Sequence, residues 1–183
     1  MSILTRIFAA GFAAIVVAPT AQAQFGGGIN LAGTSVALSA NAPMGKFDEL
    51  VQTGYGIAIR RGAGESAETW TGRTNFSFDT FNGNVTYENV RFITFGFDIV
   101  HRSRRSFYQF GGIALFNTRI TYKEGTNPFG NVRQSQDIGL TGGVGVNYGT
   151  DGGPKLFVEF AATTVFTTGD NTSWFPLRVG FRF

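Results

Sequence analysis

The sequence predicts an all-β fold: a closed antiparallel eight-stranded transmembrane β-barrel built as an up-and-down meander. Three observations lead there. Apolar residues alternate at period two over stretches of about ten residues, and clusters of Gly, Asn, Asp, Pro and Ser break the stretches apart. Charged residues make up only 15% of the chain while aromatics also reach 15%, with 20 Phe and 26 Gly, a composition that suits lipid-facing strands and not a soluble helical domain. The chain also ends on "PLRVGFRF", apolar and periodic to its last residue, where most chain ends are polar and frayed.

The first element is not a strand. Residues 1–23 carry Arg6, an apolar stretch from Ile7 to Val17 and then Ala21-Gln22-Ala23, the parts of a cleavable secretory signal peptide with small residues placed for the peptidase. The apolar stretch is too short for an ordinary membrane-spanning helix, and no later segment offers 18 consecutive apolar residues. Residues 24–183 are then one outer-membrane β-barrel domain.

Strand one is expected over about Leu31–Asn41, with Val36, Leu38 and Ala40 opposite Ser35, Ala37 and Ser39. Strand two, Gly54–Arg61, sets Tyr55, Ile57 and Ile59 against Gly56, Ala58 and Arg60. Strand three, Ala67–Phe78, opposes Trp70, Thr74, Phe76 and Phe78 to Thr71, Arg73, Asn75 and Ser77. Strand four, Val90–Val100, is the clearest, with Ile93, Phe95, Phe97 and Ile99 against Thr94, Gly96 and Asp98. In strand five, Phe107–Thr118, the expected outward face is Tyr108, Phe110, Gly112, Ala114 and Phe116, although Ile113 and Leu115 blur the register. Strand six, Ile138–Tyr148, alternates Leu140, Val144 and Tyr148 with Thr141, Gly143 and Gly145. Strand seven, Lys155–Phe166, alternates Leu156, Val158 and Phe160 with Phe157, Glu159 and Ala161. Strand eight is the terminal motif, with Leu177, Val179, Phe181 and Phe183 facing lipid and Arg178, Gly180 and Arg182 facing inward.

Eight strands near the roughly 9–11 residues needed for a tilted crossing make an even-numbered barrel, which lipid demands because an open sheet edge cannot be satisfied there. Breaks after strands two, four and six are short, at Gly62–Glu65, Arg102–Ser106 and Gly149–Pro154. The others are expected to be longer, the longest running over about Arg119–Asp137. That alternation places both termini on the periplasmic side and the segment "TYKEGTNPFGNVRQSQD" outside the cell.

The inward ionisable residues are Arg60, Arg73, Asp98, Glu159, Arg178 and Arg182. An eight-stranded barrel is only wide enough for side chains to fill it, so these form a barrel-interior charge network in which buried charges must be paired. Glu159 and Arg178 fall at similar depth on adjacent strands, which predicts a pair bridged to Arg182, with Asp98 and Arg73 in the same network. The structural reading is a polar plug; the functional alternative is a gate in a narrow channel for small solutes.

At the terminal motif the chain resembles the small outer-membrane β-barrels of the OmpA/OmpX-like type. Gly180, Phe181 and Phe183 look like that family's C-terminal insertion signal. The stretch "APMGKFDELVQTGYGIAIRR" is similar to its Pro-x-Gly-x-Phe then Gly-Tyr-Gly pattern. The resemblance implies residence in the outer membrane of a Gram-negative-type bacterium. It also implies contact with outer-membrane lipids and lipopolysaccharide, and with the outer-membrane assembly machinery during insertion. It says nothing specific about activity, because the scaffold hosts adhesins, channels and lipid-modifying enzymes alike.

His101-Arg102-Ser103 is similar to the His-x-Ser pair of the lipid A deacylases, a less favoured alternative that would make the chain a lipid A-modifying barrel enzyme. It departs from that pattern: Arg104 stands where that family has Asn, and no carboxylate follows until Glu124 to orient the histidine. An interfacial histidine is the expectation, and Arg102, Arg104 and Arg105 read as anchors to lipid phosphates. The glycines of "GGVGVNYG" lie within a strand and open no helix, so they do not cradle a nucleotide. No cofactor, metal site, nucleic-acid partner or disulfide is expected, since basic residues are scattered, cysteine is absent and no ligand spacing occurs. The expected role is non-enzymatic, structural or surface-interacting, with Tyr122, Lys123, Glu124, Phe129 and Arg133 as the extracellular contact loop.

Overall fold

A computed structural model of the chain describes residues 33–62, 69–103, 106–126, 130–149 and 153–183. The expected signal segment lies outside the described residues, as do Arg104, Arg105 and Phe129. The elements are β1 (Thr34–Met44), α1 (Lys46–Leu50), β2 (Gly54–Gly62), β3 (Trp70–Asn82), β4 (Tyr87–Arg102), β5 (Phe107–Tyr122), β6 (Val132–Tyr148), β7 (Lys155–Phe166) and β8 (Thr172–Arg182).

Each strand pairs antiparallel with the next, and β8 returns to β1, so the sheet is a closed barrel of eight strands. The closing ladder runs from Ser35 opposite Arg182 to Met44 opposite Ser173. Beyond it the Gly33 amide donates to the Phe183 carbonyl at 2.8 Å and the Phe183 amide to the Thr34 carbonyl at 2.9 Å. The terminal apolar strand therefore has a partner along its whole length. Gly33 and Phe183 mark one end of the barrel, the terminal end, and α1 lies at the other, the loop end.

The faces are inverted relative to a soluble protein. Large apolar side chains stand outside: Phe95 is 62% exposed, Leu115 61%, Ile138 51% and Phe160 51%, whereas Arg60, Arg73, Asp98, Glu159 and Arg178 are all at most 4% exposed. Water would penalise such an exterior at every strand; a bilayer does not, and the closed ladders leave no unsatisfied edge in lipid.

Three expectations about elements need correction. The faces of β5 are the reverse of those predicted: Tyr108, Phe110, Ala114 and Phe116 are buried inside, and Ile113 and Leu115 face out. Tyr108 and Phe110 fill the interior against arginines and Phe116 fills it against Phe92 and Trp174, so apolarity alone does not give the face. Second, β1, β3, β4, β5, β6 and β8 run further toward the loop end than their predicted bounds. Past the lipid belt an exterior residue need not be apolar, so the alternation fades while the ladder continues; β4 carries a register shift between Tyr87 and Asn89 there. Third, the β5–β6 connection is only 123–131 and the β3–β4 connection only 83–86, because the strands absorb most of the segments read as long loops.

Candidate functional site

Side chains fill the barrel in layers. At the centre Glu159 of β7 collects three donors. Arg60 Nη1 of β2 donates to Oε2 at 2.5 Å, while Arg73 Nη1 of β3 and the Tyr108 hydroxyl of β5 donate to Oε1 at 2.7 and 2.8 Å. Arg73 also forks onto Asp98 of β4, its Nε and Nη2 donating to Oδ2 at 3.0 and 2.8 Å. Arg60 Nε reaches Asn75 Oδ1 at 3.4 Å. Buried ions persist only when paired and hydrogen-bonded in this way.

Inward glycines make room for these groups. Gly145 stands directly across the ladder from Tyr108, and Gly112 directly across from Asp98. A Cβ at Gly145 would run into the Tyr108 ring, and one at Gly112 into the Asp98 carboxylate and the β4 backbone. The aromatic rings complete the layer toward the terminal end: the Arg73 guanidinium sits 4.5 Å from the Phe110 ring centre, and that of Arg182 lies 5.3 Å from Tyr108 and 5.8 Å from Phe157.

Toward the loop end, a second polar layer centres on Asp79 of β3. Its Oδ1 accepts from Ser39 Oγ at 3.1 Å and Asn41 Nδ2 at 2.7 Å, and its Oδ2 from Ser77 Oγ at 3.0 Å. A cavity of about 10 Å³ beside it is lined by Asn75, Thr94 and Arg178, among others. Another, of about 20 Å³, touches Arg73 and Arg182. These are about the size of a single water molecule, not of a passage.

Above Asp79 lies an aromatic cluster. Phe47, projecting from α1 into the mouth, packs edge-on to Phe81 at 5.0 Å between ring centres, and Trp174 stacks on Phe92 at 4.8 Å. Phe81 is fully buried, Trp174 1% and Phe47 5% exposed. α1 is short and has no side-chain cap; Gly45, with φ of 59°, turns the chain into it. Burial of Phe47 is what holds so short a helix, since five residues are far too few to be stable alone.

The loop end is stitched together. The Gln52 amide donates to the Asn82 carbonyl at 2.8 Å, the Asn84 amide to the Leu50 carbonyl at 2.9 Å, and the Lys123 amide to the Thr86 carbonyl at 3.1 Å. Lys123 Nζ donates to the Asn84 carbonyl, and the Tyr87 and Tyr122 rings lie 5.1 Å apart. On the other side, exposed Lys46 donates to Asp170 Oδ1 at 2.8 Å, a hydrogen bond that raises the lysine above its ordinary range. Between α1, the outer parts of β5 and β6 and the β7–β8 turn lies a cleft of about 360 Å³. Its floor includes Phe47, Phe92 and Ile120, and its wall includes Arg133, Ser135 and Asp137.

Of the predicted interior residues, the structure brings Arg60, Arg73, Asp98 and Glu159 into one network. The expected Glu159–Arg178 ion pair is not formed. Arg178 is directly opposite Glu159 on the ladder, but the carboxylate points across the barrel to Arg60 and Arg73, while Arg178 adds only its more distant charge. Arg182 is not bridged to Glu159 and instead covers Tyr108 and Phe157. Of the expected contact loop, Tyr122 and Arg133 are strand residues, Lys123 is tied to the β3–β4 turn, and Glu124 is exposed. The His101 ring packs against Trp70 in a tilted arrangement, 4.3 Å between centres, at the terminal end. Sequence reasoning missed the Asp79 layer, the Tyr108 hydroxyl and the aromatic cluster. Asp79 is at an inward position of β3, as extending that strand's alternation would have indicated.

No family model matches the chain, and no curated protein matches it. Solved structures do match. Neisserial surface protein A, NspA, is similar at 16% identity with a TM-score of 0.55, covering 82% of this chain and 96% of that one. Ail, the attachment invasion locus protein of Yersinia pestis, gives 13% identity, a TM-score of 0.54 and coverage of 82% and 96%. A major outer membrane protein from Thermus thermophilus gives 12%, 0.51, and 81% and 97%. At such identities the likeness is one of fold, and it agrees with the inverted faces and the closed ladder: the chain is a transmembrane barrel with the fold of the small eight-stranded outer-membrane barrels.

Proposed function

We propose that the protein is a sealed, non-enzymatic barrel of the bacterial outer membrane, exported by its N-terminal signal and inserted by the assembly machinery through Gly180, Phe181 and Phe183. Its loop end faces outward as an interaction surface. The observation that carries this reading is the filling of the barrel from end to end: paired ions in the middle, the Asp79 layer above them, and Phe47 seated in the mouth. Such an interior supports rigid display and no solute path. The one histidine lies at the terminal end against Trp70, away from the outer leaflet where lipid A would be met. The outward surface is the cleft at the mouth, a concave apolar floor with a charged rim, together with Tyr122, Lys123, Glu124 and Arg133.

The absence of cysteine from the sequence gives a clean test. Single cysteines at Glu124 and at Ser103 are reacted with a membrane-impermeant maleimide on intact cells. Glu124→Cys is labelled directly, and Ser103→Cys only after the envelope is permeabilised. The reverse pattern, or equal labelling of both, contradicts the orientation and with it the proposed display role.

A further inference from the structure

On the exterior of the barrel the ladder sets two arginines face to face. Arg91 of β4 is directly opposite Arg119 of β5. Both are exposed, and both alternate with inward residues, Val90 and Phe92 on one strand and Thr118 on the other. Like charges directly opposite on neighbouring strands are destabilising, and neither arginine belongs to an ion pair among the described residues. No carboxylate among those residues resolves this repulsion.

Position gives the pair its meaning. Gln134 of β6 lies across from Arg119, and one outward row nearer the middle Asn117 is opposite Gln136. Next to Asn117 on β4 is Ile93, and one further row down Leu115 is opposite Ile138, where the apolar belt begins. Two cations with three neutral amide side chains thus sit at the upper edge of the lipid-facing surface. Guanidinium groups bind phosphate oxygens in a fork, and amides donate to and accept from sugar hydroxyls.

We propose that β4–β6 carry a specific outer-leaflet lipid site on the barrel exterior, in which Arg91 and Arg119 share a phosphate of a phosphorylated glycolipid. Asn117, Gln134 and Gln136 meet its sugar, and its acyl chains run down past Leu115 and Ile138. The bound phosphate relieves the arginine repulsion, so the site is unfavourable when empty and favourable when filled. The assignment to the outer leaflet rests on the orientation proposed above. Binding in micelles does not depend on that orientation, so the two claims fail separately.

The test is native mass spectrometry of the folded full-length protein released from neutral detergent micelles, with bisphosphorylated lipid A as the probe. The wild type retains one lipid A. The Arg91→Gln, Arg119→Gln double variant binds it about tenfold more weakly, as loss of two surface cations near a phosphate requires. Arg61→Gln, an exposed arginine near the terminal end, leaves binding unchanged. Dephosphorylated lipid A binds the wild type as weakly as lipid A binds the double variant, and excess inorganic phosphate does not displace the lipid.

Equal binding by wild type and double variant overturns the proposal, as does an equal loss in Arg61→Gln. Displacement by inorganic phosphate alone would make this a free-anion site and overturn the lipid assignment. Thermal unfolding supplies the second readout. Without lipid, the double variant unfolds at the wild-type temperature or above it, because repulsion is removed. A lower temperature would show that the arginines are ordinary structural contacts and sink the idea.

Discussion

Glu159 and Arg178 stand directly opposite each other on β7 and β8, yet both ion pairs of Glu159 cross the barrel, to Arg60 at 2.5 Å and Arg73 at 2.7 Å. The carboxylate thereby ties β7 to β2 and β3, strands with which it shares no ladder. It closes the barrel through its interior as β1–β8 pairing closes it through the wall.

Replacing Glu159 by Ala leaves Arg60, Arg73 and the Tyr108 hydroxyl without their shared acceptor. Removal of one partner from a buried ion pair costs about 3–5 kcal/mol. Urea unfolding of the barrel in lipid vesicles should show a loss of that order, with Glu124→Ala, in the exposed β5–β6 turn, within about 0.5 kcal/mol of wild type. Comparable midpoints for the two variants would mean that the network contributes little.

Tyr108 and Gly145 are coupled by space. Gly145→Ala drives a methyl into the Tyr108 ring, an overpacking worth about 1–3 kcal/mol. In a Tyr108→Ala background the methyl has room, so the same substitution should be close to neutral. A double-mutant cycle measures the coupling; additive effects would contradict the packing.

Phe47 holds α1 in the mouth and shields Trp174. Phe47→Ala should cost about 3–5 kcal/mol if α1 and barrel unfold together. It should also shift Trp174 fluorescence to longer wavelength as water reaches the indole, read in a Trp70→Phe background. Unchanged emission would show that the ring does not seal the mouth.

The exposed Lys46–Asp170 pair lies in solvent, where such pairs contribute little. Because Asp170 raises the Lys46 pKa, any contribution is fully present below the ordinary lysine value of 10.5 and is lost as pH rises through the higher folded-state value. At neutral pH, Lys46→Ala should leave the unfolding midpoint unchanged. A clear drop there would make the pair a true clasp across the mouth.

The barrel was legible in the sequence where the lipid belt enforces alternation. In β7, Lys155–Phe166 coincides with the predicted strand because Gly153-Pro154 and Thr167-Thr168-Gly169 mark its ends. Three kinds of information were not there to read. Past the belt, residues such as Arg91, Arg119 and Gln134 continue a ladder without being apolar, so the strands outrun their hydrophobic pattern. Inside, the Tyr108 and Phe110 rings face inward against the guanidinium groups of Arg182 and Arg73, and Phe116 faces inward against Phe92 and Trp174, so aromatic positions do not mark the lipid face. Nor can strand counting find the partners of Glu159, since a long side chain in a barrel eight strands wide chooses among groups on several strands, not only the residue beside it.

If paired charges and the aromatic cluster seal this barrel, its conductance in planar lipid bilayers must be nil. Wild-type protein inserted in a folded state should give a quiet baseline without discrete current steps, while Glu159→Gln with Phe47→Ala should begin to flicker. Regular, single-sized steps from the wild type would show a continuous water path past Glu159, Arg60 and Arg73, and would contradict the sealed interior.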